Sequence, residues 1–272
     1  MIDPLNLFLK QLAPQPAVLV QVHATEGSTP RNAGAWMAVS AGAAVGTIGG
    51  GQLEYQAVQH ARGMLAAKAS DRTLMRIALG PSLGQCCGGV VHLRFELLTA
   101  EEAPALRTRL SATLQPLALF GGGHVGHALV EVMCRLPFSL TWIDSRDGVF
   151  PKALPERVVC EHSEPVQSAV PSLAPQSLVL IMSFSHAEDL DVLAACLKRQ
   201  REHSDLPYIG LIGSQTKWAT FGRRLAARGF CAAELAHVTC PIGVPGIQGR
   251  HAKAPEVIAV AVAAQLLQTL VG

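Results

Sequence analysis

The stretch that decides the fold runs Leu117-Ala118-Leu119-Phe120-Gly121-Gly122-Gly123-His124-Val125-Gly126. An apolar run typical of a β-strand ends at Phe120, and Gly121, Gly123 and Gly126 then stand at the G-x-G-x-x-G positions. In this pattern the glycines serve, in order, a tight turn, room for a pyrophosphate against bare backbone, and close packing of helix on strand. The helix start adds free N–H groups and partial positive charge, which favour an anion. The stretch therefore predicts a Rossmann-type domain that binds a phosphate-bearing ligand.

An acidic residue follows at the spacing this fold uses. The next predicted strand, 139–143, ends in Asp144, eighteen residues after Gly126. An acid near this distance accepts hydrogen bonds from ribose hydroxyls in dinucleotide-binding proteins. The order and spacing of the strand, the helix and the acidic residue favour a Rossmann fold. They say less about which ligand the fold binds. The alternative is that the glycines serve only the turn.

Apolar runs and helical stretches alternate through the rest of this part. Strands are predicted at 117–120, 139–143, 158–160, 178–182, 208–212 and 238–240, and helices at 124–135, 188–202, 216–228 and 256–271. Repeated strand-then-helix order is typical of a parallel sheet covered on both faces. We therefore predict an α/β protein whose C-terminal domain, 117–272, is a Rossmann-type doubly wound parallel sheet.

The N-terminal part is predicted to be a smaller α+β domain, 1–98. Strands fit 17–22, 36–40, 73–79 and 90–97, with a helix after the glycine-rich turn at 46–51. The order strand, strand, helix, strand, strand describes such a domain. The polar stretch 99–116 is predicted to be a linker that could be partly helical.

Composition and charge narrow the class of protein. The chain has 272 residues and 22 basic against 20 acidic side chains, with no basic patch, which argues against a nucleic-acid partner. No signal-peptide pattern is present at the N-terminus, and the apolar stretch 257–267 is too short for a bilayer and fits a buried helix. Seven cysteines without a C-x-x-C pair argue against zinc and a disulfide framework. We expect a soluble, cytoplasmic protein, off the membrane, with mostly buried and inert thiols.

Two more strand-to-helix turns carry polar side chains at the predicted carboxyl edge of the sheet. Ser185 and His186 follow the fourth predicted strand of the C-terminal domain. His186 could act as acid, base or hydrogen-bond donor, or Ser185 or Asp189 could simply cap the next helix. Ser214 and Lys217 follow the fifth strand. Ser214 is well placed as an N-cap, and Lys217 could either reach an anion or be solvated.

The N-terminal domain offers further candidates. The glycines at 49–51, ahead of Gln52 and Glu54, could cradle a second anion at a helix start or form a flexible turn. Arg31 could bind phosphate as a fork or lie exposed in a loop. Cys86 and Cys87 have glycines on both sides, and an exposed thiolate can bind a soft metal or carry sulfur. The pairing of the cysteines could also be accidental.

Taken in order, these segments resemble the xanthine dehydrogenase accessory protein family, the XdhC/CoxI group. The resemblance covers nearly the whole chain. It rests on short motifs at Gly27–Arg31, Gly49–Glu54, Gly84–Gly89, Phe120–Gly126, Asp144–Arg146, Ser185–His186 with Asp189, Gly210–Ser214 with Lys217, Pro241–Gly243 and Pro255–Ala259. One departure is Gly122, where the family often has alanine, and we expect it to matter little.

The resemblance implies a maturation factor that binds the molybdenum cofactor (molybdopterin), protects it during sulfuration and delivers it to xanthine dehydrogenase. It further implies a cysteine desulfurase as sulfur donor, and Cys87, at the G-x-x-C-G-G position, as the residue that faces molybdenum, with Cys86 as second choice. We hypothesise that this thiol and the glycine loop line one cleft between the domains. A homodimer is expected, and a nucleotide could occupy the Rossmann site beside the pterin.

The candidate cofactor-binding residues come from all of these motifs. They are Arg31, Gln52, Glu54, Cys86, Cys87, Gly121, Gly123, His124, Gly126, Asp144, Arg146, Ser185, His186, Ser214 and Lys217.

Two other functions stay open from the sequence. An NAD(P)-dependent oxidoreductase acting on a small substrate would use the three fingerprint glycines with Asp144, and His186 as its acid or base. That function gives the N-terminal cysteines no role. A binding or scaffold protein whose Rossmann domain has lost its ligand is the third possibility, and the intact glycines argue against it.

Overall fold

The computed structural model describes residues 4–69, 72–80, 88–111 and 114–270. The chain divides into two compact units, residues 1–111 and 112–272. The N-terminal unit contains α1 (Pro4–Leu12), β1 (Ala17–Glu26), β2 (Trp36–Val39), β3 (Ala44–Gly46), α2 (Gly51–Ala67), β4 (Thr73–Ala78), β5 (Val90–Leu98) and α3 (Ala103–Leu110).

The N-terminal unit is built on an antiparallel sheet in the order β3-β2-β1-β5-β4. Successive side chains of a strand point to opposite faces. In β1, Val18, Val20 and Val22 therefore pack toward α2, whereas Ala17 and Leu19 pack with the residues of α1 and α3. The predicted α+β class is confirmed, and α1 and the short β3 are additions to the predicted elements.

The segment 99–116, which the sequence predicts as a linker, contains α3. Leu106 and Leu110 of this helix are buried with Phe8 and Leu12 of α1. The structure thus places α3 within the core of the N-terminal unit. The burial of α3 is hard to predict from the sequence, because most of the remaining positions of the segment are polar or charged. Only one narrow stripe of the helix is apolar.

The C-terminal unit alternates strands with helices. Its elements are β6 (Gln115–Phe120), α4 (His124–Met133), β7 (Phe138–Asp144), β8 (Val158–His162), β9 (Leu178–Ile181), α5 (His186–His203), β10 (Tyr208–Leu211), α6 (Gln215–Ala227), α7 (Ala232–Leu235), β11 (Val238–Thr239) and α8 (Pro255–Thr269). A 3₁₀ helix, Val166–Ser172, connects β8 to β9.

The six strands pair in parallel in the order β11-β10-β9-β6-β7-β8. The chain first winds outward from β6 through β7 to β8, and then from β9 through β10 to β11 on the other side. This is the doubly wound Rossmann order, so the predicted fold is confirmed. Ligands of such sheets bind at the carboxyl ends of the strands, where the winding reverses. Here that point lies between β6 and β9.

Both faces of this sheet are buried, which explains the continuous apolar runs in its strands. Leu117 and Leu119 of β6 pack with residues of α4 and α8, and Ala118 and Phe120 pack on the opposite face with residues of α5 and α6. The glycine loop that follows β6 is therefore held by a strand anchored on both sides.

The apolar stretch 257–267 lies within α8, where Ala259, Val262 and Leu266 are fully buried against the sheet. In the described part of the chain, no helix has both the length and the apolar character needed to cross a membrane.

Candidate functional site

The glycine loop after β6 is tightly packed on two sides. Gly121 has a φ of 122°, in a region that favours glycine, and a Cβ there would lie 2.0 Å from the carbonyl oxygen of Met182. A Cβ at Gly126 would lie 2.2 Å from the carbonyl oxygen of Gly121. The indole Nε1 of Trp142 donates a 2.9 Å hydrogen bond to that same oxygen. Gly121 and Gly126 therefore allow the strand, the loop and α4 to pack closely.

Gly123 is in different surroundings from these two glycines. It is exposed, its φ of −81° suits any residue, and a Cβ built on it would meet nothing within 4 Å. Gly123 caps α4 without a side-chain hydrogen bond, and the first bond within this helix is donated by the amide of His127 to the carbonyl of Gly123. The amides of His124, Val125 and Gly126 precede that bond. Together with the helix dipole they form an open site for an anion.

Asp144 lies beside this loop, and both oxygens of its carboxylate accept hydrogen bonds from the protein. Its Oδ2 accepts from the amide of Gly122 at 2.6 Å and from Nη2 of Arg146 at 2.9 Å. Its Oδ1 accepts from the amide and the Nε of Arg146, both at 2.9 Å. The side chain is 1% exposed. In the structure Asp144 thus fastens the glycine loop to Arg146, and its hydrogen bonds from ribose hydroxyls stay a prediction.

These contacts also change the acidity of Asp144. Burial acts to raise the pKa of its carboxyl, but the bonds from Arg146 and from the amide of Gly122 outweigh burial and hold the pKa below the ordinary value of 3.8. The carboxyl is therefore a charged structural group at neutral pH.

Gly122, the departure from the family pattern, is also enclosed. A Cβ there would lie 2.6 Å from Cγ2 of Val149 and 3.2 Å from Oδ2 of Asp144. In this chain Val149 fills the space that an alanine methyl group would need, so the glycine is matched to its neighbour.

Arg146 connects the loop after β7 to the loop after β9. Its guanidinium lies 4.6 Å from the centre of the Phe184 ring, and the Phe184 ring is 66% exposed. Glu188 ties the same two loops together, because it accepts from the hydroxyl of Ser145 at 2.7 Å and from the amide of Phe184 at 3.1 Å. Sequence reasoning missed Phe184. Its position just beyond β9, at the carboxyl edge of the sheet, was the available signal.

Ser185 and Ser214 are helix caps. Ser185 accepts from the amide of Glu188 and begins α5, and Ser214 accepts from the amide of Lys217 and begins α6, both at 3.2 Å. His186 is exposed on the first turn of α5, with its ring edge-on to Phe221. The two serines therefore have structural roles that need no ligand.

Lys217 is not a solvated side chain, because its ammonium is paired within the protein. Its Nζ lies 2.6 Å from Oδ2 of Asp189 and 2.9 Å from the carbonyl oxygen of Ile212, and the two paired side chains are 12% and 4% exposed. Oδ1 of Asp189 accepts from the amide of Ser183 at 2.7 Å. The pair therefore links β9, α5 and α6 beneath the carboxyl edge.

The hydroxyl of Ser183 adds an unsatisfied polar group at this edge. It is buried and has no hydrogen-bond partner within the described ranges. Buried hydroxyls are normally paired, since leaving one unpaired costs free energy. Sequence reasoning also missed Ser183, whose hydroxyl is unpaired among the described residues and enclosed just beyond the end of β9.

The glycine turn before α2 encloses an anion of its own. Oε1 of Glu54 accepts from the amides of Ile48 and Gly50 at 2.9 Å, from the amide of Gly49 at 3.2 Å, and from the hydroxyl of Thr47. Burial acts to raise the pKa of Glu54, but these bonds lower it below its ordinary value. The predicted cradle exists, and the carboxylate it holds is that of Glu54.

Replacing Glu54 by alanine is expected to lower the free energy of unfolding by about 2 kcal/mol at pH 7, because several donors lose a charged acceptor. Since the folded pKa of Glu54 is lowered, its contribution is complete above the ordinary value of 4.5 and is lost as the pH falls through the folded pKa. Urea unfolding at pH 7 and at lower pH measures the difference. The exposed neighbour Gln52, replaced by alanine, is the control and should change stability by less than about 0.5 kcal/mol. Equal losses from both variants would contradict this role of Glu54.

Three glycine-rich segments meet at one end of the N-terminal sheet. A Cβ at Gly49 would lie 2.6 Å from Pro30, and a Cβ at Gly89 would lie 2.4 Å from the carbonyl oxygen of Ser28. Arg31 and Gln52 are exposed in the same segments. Cys86 and Cys87 lie outside the described residues.

The remaining cysteines are free thiols, and only Cys196 among them is buried. Burial raises the pKa of Cys196 to about 12, which makes it inert. Cys134, Cys160 and Cys240 are partly buried against the apolar core, and burial raises the pKa of Cys160 and Cys240. Cys231, by contrast, is exposed at the start of α7, so the prediction of a buried thiol is wrong for this cysteine. Apolar neighbours in sequence did not reveal that α7 begins at the surface. No three His, Cys, Asp or Glu side chains in the described part of the chain are grouped to hold a metal ion.

The fold and the site define a class of protein: a Rossmann-type unit with an open, anion-binding helix start, joined to an α+β unit rich in glycine turns. The chain belongs to the XdhC and CoxI family. The XdhC Rossmann domain matches residues 117–266, and the XdhC and CoxI family pattern matches residues 11–77.

Two known proteins are similar to this chain. The uncharacterized protein YqeB of Escherichia coli is 26% identical over 258 residues, which cover 93% of this chain and 43% of YqeB. The chain therefore spans less than half the length of that relative. A xanthine dehydrogenase from Bacillus halodurans, by its description, has a solved structure that superposes with a TM-score of 0.78 at 20% identity. The match covers 99% of this chain and 96% of that one, and it shows a shared fold.

Proposed function

We propose that this protein is a molybdenum cofactor chaperone that protects the cofactor in the cytoplasm during sulfuration and delivers it to xanthine dehydrogenase. The observation that carries the proposal is the open helix start at Gly123, combined with membership of the XdhC and CoxI family. The cofactor is the cargo of the protein, and its pterin ends in a phosphate.

The residues at the carboxyl edge suit such a ligand. A terminal phosphate is an anion, and the free amides of His124, Val125 and Gly126 can donate to its oxygens. The exposed ring of Phe184 offers a flat face to a pterin ring. The amides donate hydrogen bonds and the ring carries no charge, so neither repels a negatively charged phosphate.

The role of the thiols rests on the sequence. Cys87 stands in the pattern Gly84-Gln85-Cys86-Cys87-Gly88-Gly89, in which neighbouring glycines leave a thiol uncovered by side chains. A thiolate is a ligand suited to a soft metal centre. We therefore assign Cys87, with Cys86 second, to the molybdenum end of the cofactor. Xanthine dehydrogenase and a cysteine desulfurase are the proposed partners, and a homodimer is the proposed assembly.

The proposal is tested on protein purified from cells that make the molybdenum cofactor. Wild type is expected to carry molybdenum and pterin in equal amounts, measured by mass spectrometry of the metal and by fluorescence of the oxidised pterin. Cys87→Ser is expected to reduce both at least about tenfold, a loss of about 1.4 kcal/mol in binding. Cys231→Ser, at an exposed cysteine, is the matched control and should retain both.

Two results would count against the proposal. Wild-type protein without molybdenum or pterin would reject the chaperone function. Full retention by the variant lacking both Cys86 and Cys87 would remove the thiols from the mechanism while leaving the phosphate site to be tested separately.

The alternative function, an NAD(P)-dependent oxidoreductase, loses support for its NAD(H) form. NAD(H) would need the carboxylate of Asp144 for its ribose hydroxyls, and that carboxylate is buried and occupied by Arg146 and the glycine loop. An arginine at this position suits the 2′-phosphate of NADP(H), so NADPH binding tests that form.

A further inference from the structure

We infer that Arg146 is a specificity-determining residue, which shields Asp144 from ribose hydroxyls and directs its own remaining donors to a terminal phosphate. This inference deepens the proposed function and rests on it for the identity of the cargo. The exclusion of ribose follows from the contacts alone.

The first step concerns the capacity of Asp144. An ionised carboxylate has about four lone-pair positions for hydrogen bonds. Asp144 receives four: two from the side chain of Arg146, one from its amide, and one from the amide of Gly122. With a side chain that is 1% exposed, it offers a ribose neither a free lone pair nor access. A dinucleotide of the NAD type therefore lacks its usual partner at the end of β7.

The second step concerns what Arg146 has left. A guanidinium carries five N–H donors, and Asp144 uses one on Nε and one on Nη2. The donors that remain belong to a side chain that is 36% exposed. Glu188 is the other acid whose charge acts on Arg146, and its oxygens are bonded to Ser145 and to the amide of Phe184. The remaining donors of Arg146 are thus available to oxygens of a ligand at the carboxyl edge.

The third step concerns how Arg146 is held. The Asp144 carboxylate binds it as a two-point fork, and the Phe184 ring lies against its flat face at 4.6 Å. The two-point fork needs a planar guanidinium, and a lysine ammonium cannot reproduce it. The arrangement fixes the direction of the donors, so a phosphate with three free oxygens is better suited to them than the two hydroxyls of a ribose.

The test compares the fluorescence of NADH and NADPH in titrations of wild type and Arg146→Ala, with molybdenum and pterin contents measured on the same preparations. Wild type is expected to bind NADH no tighter than about 1 mM. Arg146→Ala frees the carboxylate of Asp144 and is expected to bind NADH at least about tenfold tighter, while its pterin content falls by a similar factor. Adding Asp144→Ala to Arg146→Ala should abolish the gain.

The outcomes separate the inference from the proposed function. NADH binding that is equal in wild type and Arg146→Ala would overturn the inference, and molybdenum and pterin in the same wild-type protein would still support the chaperone. The gain in NADH binding without any molybdenum or pterin in wild type would support the inference and reject the chaperone. Tight binding of NADPH but not NADH by wild type would support phosphate selection and assign the phosphate to a dinucleotide.

A further variant separates the two contacts that hold Arg146. Phe184→Ala removes the ring that lies against the guanidinium and leaves the fork to Asp144 in place. It is expected to lower pterin content without any gain in NADH binding, since Asp144 stays shielded. A gain in NADH binding by Phe184→Ala equal to that of Arg146→Ala would overturn the shielding role of the guanidinium.

Discussion

Replacing Gly121 by alanine is expected to lower the free energy of unfolding by more than about 4 kcal/mol, the size of effect reserved for severe overlap or strain in a core. Two causes act together. The φ of 122° is unfavourable for a residue with a Cβ, and the new atom would lie 2.0 Å from the carbonyl oxygen of Met182, just beyond β9. Because that neighbour is backbone, the sheet itself would have to move. Urea unfolding measures the loss.

Substitutions at two other glycines separate the effect of a positive φ from the effect of overlap with the backbone. Gly148 has a φ of 68° with nothing near its missing Cβ, so Gly148→Ala should cost only about 1–2 kcal/mol, from the backbone conformation. Gly126→Ala introduces overlap with the backbone at Gly121 without a positive φ, and its cost should lie between the two. If Gly121→Ala proved no worse than Gly148→Ala, the close packing described for the loop would be incorrect.

The second large effect is expected at the buried ion pair. Lys217→Met leaves the carboxylate of Asp189 only 4% exposed and without its positive partner. Removing one member of such a pair typically costs about 3–5 kcal/mol, since the other charge stays buried and uncompensated. The carbonyl oxygen of Ile212 loses a donor as well. Thermal and urea unfolding of the variant measure the loss.

An exposed ion pair between the same two helices, α5 and α6, is the matched control for the buried pair. Arg228, at the end of α6, lies 2.8 Å from Asp191 of α5, and both side chains are more than 40% exposed. Solvent screens this pair, so Arg228→Met should cost less than about 1 kcal/mol. Similar losses for Lys217→Met and Arg228→Met would show that the Asp189 pair is solvated and that its burial is wrongly described.

Most of the C-terminal fold could be predicted from patterns among residues that are close together in the sequence. The run from Leu117 to Gly126 contains a strand, a turn and a helix start within ten residues, so the constraints that shape it lie close together in sequence. Gly121 and Gly126 perform the packing roles that the pattern predicts. The alternation of strands and helices likewise predicts a parallel sheet from short-range signals. The N-terminal helix α1 and the short strand β3 carried weaker signals and were missed.

The partners of the site residues could not be predicted in this way. Arg146 is two residues from Asp144, but no local rule tells whether its side chain turns back to the carboxylate or outward to solvent. Lys217 and Asp189 are far apart in sequence and meet because β9 and β10 are neighbours in the sheet. At Glu54 the sequence left open whether the glycine turn cradles an anion or is only a flexible turn, and in the structure the turn binds a carboxylate of the helix itself.

The measurement that tests the central claim most directly is the cofactor content of Gly123→Asp. Aspartate is a favoured N-cap residue and the backbone at Gly123 accepts it, so the melting temperature should stay equal or rise. Its carboxylate would take the amides at the start of α4 and repel a phosphate. We expect molybdenum and pterin to fall at least about tenfold relative to wild type. Undiminished molybdenum and pterin in a folded Gly123→Asp protein would contradict the claim that this helix start holds the cofactor.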